Sequence, residues 1–163
     1  MTVKDLEGLY EYGYWANRHL YEVISKLTPE QFTQSLGSGF GSIRNTLVHI
    51  LSAEWGWLDR CSGPQRGPRW FRLTYPSVTS LMDGWRQAEA QVREFLSHLN
   101  DEDLNRIVEL SFGNGPKQAM RLGELMHQAA IHGIHHTGQV ALLLRLLGQL
   151  AGNFDIPFYY GRK

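Results

Sequence analysis

The sequence predicts an all-α protein: an antiparallel four-helix bundle with a small hairpin inserted before the last long helix. Three observations carry that expectation. Four long stretches repeat apolar residues at alternating steps of three and four, each stretch ends in its own stop signals, and only one short segment alternates like a pair of strands.

The first helix follows from Leu6, Leu9/Tyr10, Gly13, Ala16, Leu20, Val23/Ile24 and Leu27, one buried stripe that runs to about Lys26. Thr28-Pro29-Glu30-Gln31 then supplies a cap, a proline at the first helical position and a glutamine at the third, so a short helical turn follows before Gly37, Gly39 and Gly41. A second long helix starts near Ser42, carries Ile43, Leu47, Ile50/Leu51, Glu54 and Leu58 on one stripe, and stops at Gly63, Pro64, Gly67 and Pro68. A long loop leads through Tyr75-Pro76 to Ser77, which opens a third helix buried along Val78, Leu81/Met82, Trp85, Ala88, Val92, Phe95/Leu96 and Leu99. Arg106–Phe112 and Lys117–Arg121 flank Gly113-Asn-Gly-Pro116, the composition of a hairpin. The fourth long helix spans Leu122 to Leu147 and ends at Gly148.

A chain of 163 residues that is 42% hydrophobic can close one core, so a single domain over residues 1–163 is expected. Lys+Arg and Asp+Glu balance at 16 each, which leaves no net positive field to draw the protein onto nucleic acid or an acidic membrane. The apolar runs are far shorter than the roughly 20 residues a membrane span requires. Cys61 is alone and cannot form an internal bridge, and the N-terminus lacks the pattern of a secretory signal, so a cytoplasmic home is expected.

Chemistry concentrates in the last helix, where His127, His132, His135 and His136 fall within ten residues. Positions four apart on a helix differ by about 40° around its axis, so His132 and His136 project side by side. His135 lies about 100° from His136, and His127 about 180° from it, which keeps both from the same ion. Two imidazoles make a weak site. The third ligand has to come from elsewhere, and His49, well inside another helix, is the leading choice, with His19 and His98 as alternatives. Small residues at Asn45, Thr46, Ser52 and Ala53 leave room around His49, and Ala129 and Gly133 do the same on the last helix. Asn17, Glu54 and Gln139 are polar residues on or beside apolar stripes, placed to orient an imidazole or line a pocket. Trp15 has charged helix-face neighbours and is expected to lie under the tail or at a subunit contact, while Cys61, with no base nearby, is expected to be incidental.

Three segments together resemble the DinB/YfiT-like superfamily: Tyr14-Trp-Ala-Asn-Arg18, Phe40-Gly-Ser-Ile-Arg-Asn-Thr-Leu-Val-His-Ile-Leu-Ser-Ala-Glu54, and His132-Gly-Ile-His-His-Thr-Gly-Gln139. The resemblance implies a divalent metal held at the positions of His49, His132 and His136, in a homodimeric four-helix bundle. Members often carry asparagine before the first histidine of the last motif and arginine after the histidine pair, where this chain has Ile131 and Thr137. Some members are thiol-dependent transferases and isomerases, so the resemblance implies a small-molecule substrate and a low-molecular-weight thiol as co-substrate.

Three neutral nitrogen ligands leave a coordination position open, which separates catalytic from closed structural sites. Imidazole suits several metals; zinc or nickel is favoured, and iron also fits. The expected activity is metal-dependent transfer of a thiol to a small electrophile, ranked above a hydrolase that activates water at the metal and above a protein whose ion only ties helices together. No catalytic side chain beyond the ligands is assigned.

Overall fold

The computed structural model of the protein describes residues 1–37, 39–63, 75–110 and 116–161. Its elements are α1 (Val3–Ile24), α2 (Pro29–Thr33), α3 (Ile43–Ser62), α4 (Val78–Ser97), a 3-10 turn (Asp103–Asn105), β1 (Ile107–Leu110), β2 (Gln118–Arg121), α5 (Leu122–Leu146) and α6 (Ile156–Tyr160). The four expected long helices and the hairpin are all present. The first helix begins earlier than its apolar stripe, because Thr2 caps it in a reciprocal capping box with Asp5. Thr28 and Gln31 form the same box on α2, and the hydroxyl of Ser42 accepts from the Asn45 N–H to start α3.

Around the bundle α1 packs on α4 and α5, and α3 packs on α4 and α5, so α1 and α3 face each other across a diagonal. The contacts also give the directions. Tyr10 reaches Met126 and Asn17 reaches Thr137, so α1 and α5 run the same way. Glu11 pairs with Arg93, and Tyr21 packs on Trp85, so α1 and α4 run oppositely. Arg44 donates to the carbonyl of Tyr75 just before α4, and Arg106 just before α5 donates to the carbonyl of Cys61 near the end of α3. The bundle is therefore antiparallel as two pairs, α1 with α5 and α3 with α4.

The core is the joint inner face of these helices: Leu6, Leu20 and Ile24 from α1, Leu47 and Leu51 from α3, Leu81 and Trp85 from α4, and Leu125 and Leu144 from α5 are all enclosed. β1 and β2 pair antiparallel with Ile107 opposite Arg121 and Leu110 opposite Gln118; residues 111–115, which include the end of the first expected strand and most of the expected Gly113–Pro116 turn, lie outside the described residues. Val108 and Leu110 alternate inward and join the core, as the period of a strand requires. Trp15 is only 3% exposed despite its charged neighbours, because the C-terminal segment lays Phe154 and Tyr159 against its ring. Among the described residues no helix is long and apolar enough to cross a membrane.

Candidate metal centre

His49 enters from the middle of α3, and His132 and His136 enter from adjacent turns of α5. Their donor atoms all lie within 4.8 Å of one another. His132 Nε2 stands 3.2 Å from His49 Nε2 and 3.2 Å from His136 Nε2. Nitrogens bound about 2.05 Å from a tetrahedral ion stand about 3.3 Å apart, so the spacing and the donor set both fit a divalent metal. The three histidines are positioned to bind a metal ion. Among the described residues no fourth His, Cys, Asp or Glu joins them, so the protein itself leaves coordination capacity over.

His49 and His132 are also in the right protonation state to act as ligands. Burial, followed by the neighbouring His136 and His49, pushes His132 down to about 4; burial, followed by His136, lowers His49. Both are neutral bases at neutral pH, with a lone pair available. His136 Nδ1 faces Gln139 Oε1 at 2.7 Å, a contact that assigns the proton to Nδ1 and leaves Nε2 free for the metal. Gln139 is held in turn by His135, whose Nε2 lies 3.1 Å from the glutamine Nε2. His135 thus takes no place in the ligand cluster but supports the side chain that orients His136.

The remaining histidines are elsewhere. His19 Nδ1 bonds to the carbonyl of Trp15, His98 Nδ1 bonds to the carbonyl of Glu94, and His127 is exposed. Of the three polar candidates, only Gln139 contacts a ligand histidine. Asn17 accepts from the hydroxyl of Thr137 at 3.0 Å, and Glu54 accepts from the hydroxyl of Tyr14 at 2.8 Å. Both line a narrow cavity between α1, α3 and α5 that His132 also lines, with Ile50, Trp85 and Ile134 among its apolar walls. Burial, countered in part by the Tyr14 hydrogen bond, raises the Glu54 carboxyl to about 7.

Phe40 completes the site. Its ring stacks on His49 with centroids 3.9 Å apart and 23° between planes, and its edge faces His136. It sits between Gly39 and Gly41, both at positive φ, in the turn just before the Ser42 cap. A β-carbon on Gly39 would also sit 3.7 Å from the Gln139 oxygen that holds His136. The available signal was an aromatic residue bracketed by glycines two residues before the Ser42 cap and nine before His49, which does not by itself point at a metal.

The site can be set beside other proteins. A model described as the DinB family matches residues 1–162. This chain belongs to the DinB family. It is 25% identical to Protein DinB of Bacillus subtilis (strain 168) over 165 residues, covering 93% of this chain and 91% of that protein. It is 24% identical over 140 residues to YizA of the same organism, an uncharacterised protein, with 85% of each covered. In three dimensions it resembles a DinB-like protein from Bacillus cereus ATCC 10987, with a TM-score of 0.73 at 22% identity over 93% of this chain and 97% of the other. A DinB-like protein from Bacillus subtilis, YjoA, gives a TM-score of 0.63 at 19% identity, over 87% and 92%. These neighbours support the helical fold. At the two positions where DinB-family members often differ, Ile131 is 44% exposed, and the Thr137 hydroxyl serves Asn17 and the Gly133 carbonyl.

Proposed function

We propose that His49, His132 and His136 hold a divalent metal, zinc or nickel in preference to iron, and that this DinB-family protein transfers a small thiol to an electrophilic small molecule. The observation behind this reading is the convergence of three imidazoles without a fourth protein donor among the described residues. A divalent ion bound there supplies Lewis acidity that favours the deprotonated form of a thiol or of water.

The chain's own residues then have separate tasks. Gln139 fixes the ring of His136, Phe40 shields one face of His49 from solvent, and the apolar walls beside His132 exclude water from the reactants. An apolar, narrow cavity suits a small substrate and ranks thiol transfer above hydrolysis.

A homodimer in the cytoplasm is part of the same reading. Ile131, Leu142 and Leu146 are exposed along one face of α5, with Leu150 beyond its end, an apolar stripe that a second copy would cover. Sedimentation equilibrium should give twice the chain mass, and a monomer at micromolar concentration would reject the dimer.

Elemental analysis of the purified protein should find about one metal per chain, lost in His49→Ala and His132→Ala. Unchanged metal content in both variants would reject the ligand assignment. Addition of glutathione or cysteine to the cobalt-substituted protein should change its visible absorbance. Turnover of esters or amides without any thiol would favour hydrolysis instead, and silence in both assays would leave an ion that only joins helices.

A further inference from the structure

The cavity between α1, α3 and α5 contains an arrangement that metal binding does not use. Glu54 lies five residues beyond His49 on α3 and is not among the clustered ligands. One of its oxygens accepts from the Tyr14 hydroxyl, and its other oxygen has no hydrogen bond among the described residues. The same lining holds a second acceptor, the Asn17 side-chain oxygen, and the aromatic side chains of Tyr10, Tyr14 and Trp85. It holds no lysine or arginine, and His132 is its one basic residue.

The nearest cation is spent elsewhere. Arg93 of α4 lies over the Tyr14 ring, 4.9 Å from its centroid, and its guanidinium is bonded to Glu11 and Glu89 on the outer surface. A carboxyl enclosed by apolar walls, short of a partner and faced by aromatic rings, matches one ligand chemistry better than others. A small cation donates to the carboxylate and is attracted by the rings, whereas an anion is repelled by the ionised carboxylate and a neutral group forgoes the ion pair.

We propose that this cavity is a binding subsite for a small primary ammonium group, held by Glu54 and flanked by Tyr14 and Trp85. The proposal goes beyond the metal reading and does not need it, because the cavity and the carboxyl exist without an ion. Glu54 must be ionised to pair with the cation. The groups that face it are Tyr10, Tyr14 and Tyr21 from α1, Glu89 and Arg93 from α4, and His132 across the cavity on α5. The three tyrosines are held protonated by burial, so below pH 9 the carboxyl is the group on this side that changes charge near neutrality. Affinity should therefore rise with pH through about 7.

The test is titration with ethylammonium, followed by NMR through the Trp85 indole and the Ile50 and Ile134 methyl resonances, on chelator-treated and zinc-loaded protein. Saturable shifts confined to the cavity are expected in both, with ethanol and acetate at least about tenfold weaker. Glu54→Gln keeps the shape and the Tyr14 hydrogen bond, and should weaken ethylammonium by about tenfold while removing the pH dependence. Equal binding of ethanol or acetate, unchanged affinity in Glu54→Gln, or no saturation by roughly 0.1 M would overturn the proposal. Unchanged metal content in the His49→Ala and His132→Ala variants, with ammonium binding retained, would reject only the metal reading.

Discussion

The bundle encloses two sets of ionisable groups, and the same physical force acts on them with opposite results. At the α3–α5 contact, removal from water strips protons from basic rings and leaves His49 and His132 neutral. One turn away, it adds a proton to an acid and moves Glu54 up to about 7. Burial disfavours charge in both places. The consequences differ because the histidines stand together around one point, whereas Glu54 stands singly, with Tyr14 as its one hydrogen-bond partner among the described residues. Clustered neutral bases suit a cation with several coordination positions, and a solitary acid suits a cation with one charge.

The largest effect expected to break this contrast is His132→Ala, which removes the central nitrogen of the cluster and should lower metal affinity by more than about 100-fold. Competition with a chromophoric chelator measures it, and a change below tenfold would show that the other two rings hold the ion without His132.

Next comes the pH dependence of stability. A carboxyl whose folded value is raised from 4.5 to about 7 binds more protons in the folded than in the unfolded state across that window, so it lowers stability as pH rises. His132, lowered from 6.5 to about 4, does the reverse: its contribution is present above 6.5 and is lost as pH falls. Between about 4.5 and 6.5 the two slopes oppose each other. At about 1.36 kcal/mol per pH unit, Glu54→Gln should stabilise the metal-free protein by up to about 3 kcal/mol at pH 8 and by almost nothing at pH 4. Urea unfolding at the two pH values checks this, and an equal gain at both would show that Glu54 keeps its ordinary ionisation.

A smaller change tests the support around the cluster. Gln139→Ala frees the His136 ring and should cost about 10- to 100-fold in metal affinity with little effect on the ammonium subsite. Calorimetric titration of zinc separates the two, and coupled losses would mean that the two regions are one site. Smallest is Phe40→Ala, which removes the ring stacked on His49 and should cost about 0.5–1.5 kcal/mol in folding stability by thermal melting. A wild-type melting temperature would mean that the stack contributes nothing.

The contrast between the two regions also marks how much was legible in the sequence. Helical spacing places His132 and His136 side by side without further information, and the apolar stripe of α3 turns His49 inward, so the cluster could be assembled from periodicity once two helices were assumed to touch. Gln139, one turn after His136, followed from the same spacing. Contacts across the diagonal could not be read this way. The Tyr14–Glu54 bond depends on which helices face each other, and the parallel pairing of α1 with α5 depends on a connection whose course periodicity does not encode. Phe40 was hidden for a related reason, since glycines at positive φ decide where its ring points. Trp15, expected from its charged helix neighbours to lie under the tail or at a subunit contact, is covered by the C-terminal segment more than a hundred residues away. Cys61, left without a role on spacing alone, is fully buried in α3, and burial pushes its thiol up to about 12.

The separation of His49 from His132 by 83 positions along the chain has a further consequence. An ion held between them closes a loop containing about half of the polypeptide, including α4 and the hairpin. Occupancy then reports on tertiary integrity: any opening that parts α3 from α5 releases the ion, and abundant ion in turn holds that seam shut by mass action. The melting temperature should therefore climb with added zinc and fall with a chelator, making metal supply a control on how long the folded chain survives.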